Sequence, residues 1–276
     1  MKESGKSEKF SMTVIVPDKA SPEASDFLAS LSGLSRVRIK DAMNKGAIWL
    51  KREGLGHRRL RKATFTLKKG DTLELNYDSK VLSENYSQAS CINDYRQYSI
   101  WFKPAGLLTQ GTQFGDHGTL LRQAELYFKS KRKVFPVHRL DREAEGLVII
   151  AHTRQAAAGL SRLFAEHRII KRYRVEVLGS PEKNGGIIND PIDGRHAVTR
   201  YHVITRNPEK GTSTLLVEIE TGRMHQIRRH LAGAGIPVMG DPRYGTGNQD
   251  GRPMRLTACE LRWRCPITGE ERVHSL

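Results

Sequence analysis

Residues 137–167 read VHRLDREAEGLVIIAHTRQAAAGLSRLFAEH. Polar side chains fill the first part, Gly146 turns the chain, and residues 147–151 follow as an unbroken apolar run. A run this short, followed at once by a helix start signal, reads as a buried strand. Thr153 is the N-cap of the next element, where Ala156, Leu160, Leu163 and Phe164 fall on one face of a helix. The stretch thus supplies a charged loop, a core strand and a helix that packs back on the core. Its oddity is Asp141, a carboxylate set between Arg139 and Arg142 at the strand's edge. Chemistry alone favours a structural ion pair for such a residue.

Outward from this stretch, YSIWFK, KRYRVEVLG, AVTRYHVITR, STLLVEIET and MRLTACELRW read as further strands, and MHQIRRHLAGAG as a second helix that stops at its glycines. Strands and helices mix without strict alternation. The pattern predicts an α+β domain on a mixed, mostly antiparallel sheet over residues 94–276. The polar stretch at 79–93 reads as a linker. Before it, residues 12–78 read as a small basic α/β module: Ser35 caps the helix RVRIKDAMNK, Gly46 lies just past its end, and AIWL and DTLELNY are short strands. GTGNQDG at 245–251 reads as a surface loop, because no strand precedes it and no helix clearly follows.

Charge is unevenly placed. The chain carries 46 Lys and Arg against 30 Asp and Glu, a net charge of +16 and a pI near 9.9. Twelve of the basic residues lie between 36 and 69, with only Asp41 and Glu53 against them. Such a balance favours a polyanionic partner, with nucleic acid ahead of an anionic membrane. Three cysteines, Cys91, Cys259 and Cys265, leave one unpaired in any pairing and sit at no zinc-ligand spacing, so neither disulfides nor a metal is expected. The N-terminal stretch MKESGKSEKFSMTVIVPD is neither a signal h-region nor a membrane span. A soluble, cytoplasmic protein is expected, with a monomer as the default. No G-x-x-x-x-G-K-[ST], H-E-x-x-H, G-x-S-x-G or strand-linked G-x-G-x-x-G is present, which removes support for ATP, zinc and nicotinamide chemistry.

Three polar segments remain beside apolar ones: HRLD at 138–141, KRY at 171–173 and TGRMHQIRRH at 221–230. Each has a plain reading, Tyr173 as a half-buried strand aromatic and Arg228 as part of a solvated basic face. Together, in this order and spacing, and with FKPAGLLT at 102–109 and CPITGE at 265–270, they resemble the RluA-type pseudouridine synthase family over residues 94–276. The basic N-terminal segment resembles the α-L RNA-binding module that many members carry.

The resemblance implies cofactor-free isomerisation of uridine to pseudouridine within structured RNA, on a pseudouridine synthase fold. Asp141 would be the catalytic carboxylate, attacking sugar or base or removing a sugar proton, and Arg228 its guanidinium partner. Tyr173 would pack on the uracil of a flipped nucleotide. Arg139 would enter the space that the base vacates, and Ile227 and Leu140 would be apolar walls. Arg36, Arg38, Lys40, Lys45, Lys51, Arg58 and Arg59 would hold RNA phosphates. Large-subunit ribosomal RNA is the favoured partner and transfer RNA the runner-up. Two other readings stand beside this one: a non-catalytic RNA-binding or ribosome assembly factor, and a hydrolase of N-glycosidic bonds using Glu143 or Glu145 as general acid. Ala144 and Glu145 replace the family's usual Thr-Ser pair, and LLTQG replaces its more frequent Leu-Val-His-Pro. Substrate choice is where these departures would act, with Glu145 repelling phosphate or pairing with a basic residue.

Overall fold

The computed structural model describes residues 8–17 and 22–276. Residues 1–7 of the N-terminal stretch read above for targeting, and residues 18–21 of the basic module, lie outside the described residues. The chain divides into two compact units.

The first unit comprises the described residues up to Tyr86 together with Gln110–Gln123. Its elements are β1 (Lys9–Ile15), α1 (Ala24–Ser32), α2 (Arg36–Asn44), β2 (Ile48–Arg52), β3 (Gly56–Arg59), β4 (Thr72–Asp78) and α3 (Ser79–Ser83). The four strands form one antiparallel sheet in the order β1-β4-β2-β3. Leu28, Ile39, Met43, Ile48, Leu50, Leu73 and Leu75 are fully buried between helices and sheet. Ser35 caps α2 by accepting from the Arg38 amide, and Gly46 follows its end with φ +80. The segment 110–123 is stitched to this sheet by polar contacts: Trp49 Nε1 donates to the Gln113 carbonyl at 3.2 Å, and Arg59 and Arg61 both reach Asp116.

The second unit comprises Ser87–Thr109 and Ala124–Leu276. It contains β5 (Ser90–Asp94), β6 (Tyr98–Lys103), α4 (Leu120–Tyr127), within which the boundary between units falls, β7 (Phe135–Pro136) and β8 (Glu145–Ala151). After these come α5 (Arg154–Ala165), β9 (Ile170–Leu178), β10 (Gly185–Ile188), β11 (Thr199–Asn207), β12 (Thr212–Ile219), α6 (Gln226–Gly233), β13 (Leu256–Arg264) and β14 (Glu271–Ser275). Ten strands make one sheet, with β10-β11-β12-β9-β13-β8-β6-β5 in sequence, β14 beside β13 and β7 beside β8. The pairing of β8 with β13 is parallel and every other one antiparallel. This is the mixed α+β architecture that strands and helices mixing without strict alternation predict.

The parallel junction depends on one glycine. Gly146 has φ +118, and a Cβ there would run into the backbone of Ala258 on β13. Only glycine lets the two strands meet and carry the 137–144 loop to the end of the sheet. Beyond it, Ile149 and Ala151 pack with Ala156, Leu160 and Leu163 of α5, which Thr153 caps by accepting from the Ala156 amide.

Three readings differ from the structure. The stretch at 79–93 is not plain linker: it holds α3, capped by Asp78, and most of β5, which pairs with β6. The basic unit begins its sheet before residue 12, at Lys9, and also takes in the segment 110–123. The glycine-rich loop is not purely a surface feature, since Asn248 is fully buried and donates to the carbonyls of Val238 and Tyr244.

Candidate active site

The loop between β7 and β8 is held from behind by side chains that the apolar pattern conceals. His138 stacks on Phe164 at 4.3 Å between ring centroids, and its Nε2 accepts from the Ile149 amide at 2.9 Å. Burial pushes this imidazole's pKa down to about 3, in keeping with a neutral acceptor nitrogen. Thr109 exchanges hydrogen bonds with Leu140, donating to its carbonyl at 2.9 Å and accepting from its amide at 3.1 Å. The fully buried Lys103 donates to the carbonyls of Leu107 at 2.7 Å, Pro104 at 3.1 Å and Arg142 at 3.3 Å. Gly106 adds an amide bond to the Arg142 carbonyl at 2.7 Å. The segment FKPAGLLT therefore cradles the backbone on both sides of Asp141.

Asp141 faces Arg228, 87 residues downstream on α6, whose Nη1 donates to its Oδ2 at 3.1 Å. Arg228 is only 2% exposed and is gripped from its far side by Asp241, with Nε to Oδ2 at 2.7 Å and Nη2 to Oδ1 at 2.8 Å. Asp241 is itself fully buried and accepts from the amides of Arg243 and Tyr244. Burial works against both charges, but their mutual hydrogen bonds prevail: the guanidinium is raised above its ordinary range and the Asp241 carboxyl lowered below its own. Tyr244 lies under the guanidinium at 5.2 Å, and Glu143 approaches its Nη1 at 3.5 Å. A buried arginine clamped in this way presents one fixed N–H to a carboxylate that is 20% exposed.

The carboxylate opens on a cavity of about 750 Å³ lined by Arg139, Leu140, Asp141, Tyr173, Ile227 and Arg228, among others. Tyr173, on β9, places its hydroxyl where burial and the charge of Asp141 raise its pKa, so it stays neutral. Lys171, two residues earlier on the same strand face, is buried and donates to the Glu220 carbonyl at 3.3 Å. Leu256 of β13 and Ile219 of β12 add apolar wall, as do Leu140 and Ile227. A fixed carboxylate, a neutral aromatic hydroxyl and apolar walls suit a planar, weakly polar ring held beside a sugar carbon.

All three expected catalytic residues and Arg139 thus meet at one cavity. Arg139 is exposed, and among the described residues it has no ion-pair partner. Arg228 does not lie on a solvated face. Its neighbours part company: Arg229 pairs with Asp193 at the surface, while His230 is buried against Thr199 and the Asp190 carbonyl. Glu145 has no ion-pair partner among the described residues and does not line the cavity; it accepts from Thr257 at 2.9 Å across the β8–β13 junction. Ala144 does line it.

The expected phosphate contacts of the first unit divide. Arg36 is engaged by Asp26, Arg38 by Glu8 and Tyr77, Lys45 by Asp41 and the Leu82 carbonyl, and Arg59 by Asp116 while it covers Trp49 at 4.2 Å. Lys40, Lys51 and Arg58 are exposed, with no ion-pair partner among the described residues. Sequence reading missed Asp241, His225, Tyr244 and Lys103. The signal for Asp241 was its place in GDPRYG, where an Asp before Pro tends to turn the chain onto its own carboxylate.

Comparison with known proteins gives one family model, described as RNA pseudouridylate synthase, matching residues 97–233. A ribosomal large subunit pseudouridine synthase D from Zymomonas mobilis is 30% identical, over 88% of this chain and 86% of its own. A tRNA pseudouridine synthase C from Vibrio parahaemolyticus is 31% identical, over 62% of this chain and 82% of its own. Among solved structures, human RNA pseudouridylate synthase domain containing 1 aligns with a TM-score of 0.59 at 24% identity, over 68% of this chain and 83% of its own, which shows a common fold.

Proposed function

The chain belongs to the RNA pseudouridylate synthase family, and from that premise we propose that it isomerises particular uridines of large-subunit ribosomal RNA, with Asp141 as its catalytic carboxylate. The observation that carries the site assignment is the relay Asp241–Arg228–Asp141 ending in the cavity beside Tyr173. Arg228 fixes the Asp141 carboxylate, leaving Oδ1 to act on the ribose or the base. Tyr173 packs on the uracil, and Arg139 enters the stack that the base leaves, contacts that recover part of the few kcal/mol of unstacking.

Ribosomal RNA is favoured because the relative named for the large subunit matches over 88% of this chain, against 62% for the one named for tRNA. In this reading the first unit holds RNA through Lys40, Lys51 and Arg58, a positioning contact that weakens as salt rises. The test is a pseudouridine map of total RNA from cells with and without the gene. A site lost from large-subunit ribosomal RNA supports the proposal, and a site lost from transfer RNA reassigns the substrate.

A further inference from the structure

The isomerisation needs a group that no residue so far supplies. Once the base has turned and C5 has joined C1′, C5 still carries its hydrogen, and that proton must leave before the uracil ring is restored. Tyr173 is a poor acceptor, since its hydroxyl is held neutral by burial and by Asp141. Arg228 is a fixed cation, and Asp141 has Oδ2 held by Arg228 and Oδ1 already assigned to the ribose or the base.

His225 is placed differently. It precedes α6 in the left-handed region, at φ +54, a conformation that residues other than glycine seldom adopt and that accumulates at functional sites. Its ring lines the cavity, with Nε2 3.8 Å from Asp141 Oδ1 and Nδ1 3.0 Å from the Tyr244 hydroxyl. Building on the assignment of Asp141 above, we infer that His225 is the base that removes the C5 proton. With Nδ1–H donating to Tyr244, the Nε2 lone pair is available on the Asp141 side of the cavity. Nε2 takes the C5 proton and the C–H electron pair forms the C5–C6 double bond. The N1–C6 double-bond pair moves onto N1, which takes a proton from water, and the imidazolium later returns its own. One proton has then moved from C5 to N1 with no redox change.

The charged and titratable groups around the ring are Asp141 and Glu143 from the loop before β8, Arg228 from α6, and Arg243 and Tyr244 from the segment after Asp241. Burial, helped by the two arginines, lowers the imidazole below its ordinary 6.5 against the opposing carboxylates, so the base is neutral at pH 7.

The test uses the full-length protein and a transcript containing the mapped uridine, made with either ordinary or C5-deuterated uridine. His225→Gly keeps the left-handed backbone and leaves room for added imidazole. We expect kcat to fall about 10²-fold with KM little changed, a primary isotope effect larger than that of the wild type, and partial rescue by imidazole. Activity within twofold of the wild type, or a slow variant with no isotope effect and no rescue, overturns the inference. Should His225→Gly fail to fold, His225→Gln carries the same isotope comparison. An active Asp141→Asn would instead overturn the site assignment beneath it.

Discussion

Arg228 is the residue on which the site's geometry turns, because its guanidinium satisfies a buried carboxylate on one side and orients an accessible one on the other. Arg228→Met should leave Asp241 charged and unpaired in the interior and cost about 3–5 kcal/mol of stability, read by chemical denaturation. Lys103 gives a prediction in pH. Its ammonium sits among three backbone carbonyls, and burial lowers its pKa from 10.5 to about 8 despite the charges of Asp141, Glu143 and Glu145. Between those two values the unfolded chain holds the proton that the folded one has released, so folding stability from this residue rises with pH across that window, by about 3 kcal/mol in all. Unfolding free energies of the wild type relative to Lys103→Met should therefore increase from pH 8 to pH 10, and a flat difference contradicts the assignment. At this scale the sequence made Asp141, Tyr173 and Arg228 legible only through the order of their motifs. Asp241, His225 and Lys103 stayed hidden because their roles come from burial and from partners distant in the chain.

Among the elements, the β8–β13 junction decides where the Asp141 loop points. Gly146→Ala adds a Cβ against the Ala258 backbone at a φ that disfavours any side chain, and should destabilise the second unit by about 3 kcal/mol or more. Thr153→Ala removes only the α5 cap, about 1 kcal/mol, and should leave kcat unchanged; a loss of activity there would mean that the helix does more than support the core. The core strands and α5 were readable because their apolar periodicity and caps are local signals. β1, β3, β10 and β14 were not, since they lie at sheet edges with much of their surface exposed and carry little such pattern. α4 is short, and the pairing of β5 with β6 overrides a polar stretch that reads as linker.

For the molecule as a whole, net charge named the class of partner, while the structure separates basic residues that bind the fold from those that face solvent. Lys40, Lys51 and Arg58 replaced together by alanine should raise KM and flatten the dependence of log affinity on log salt by about 2–3, with kcat preserved. Replacing Arg59, which is tied to Asp116 and Trp49, should lower the stability of the first unit instead. Comparing KM, salt slope and melting temperature across these variants checks both. The most direct test of the central claim is a pseudouridine map of RNA from gene-deleted cells complemented with either the wild-type protein or Asp141→Asn. A pseudouridine in large-subunit ribosomal RNA should disappear on deletion, return with the wild type and stay absent with Asp141→Asn. Restoration of the modification by Asp141→Asn would contradict that claim.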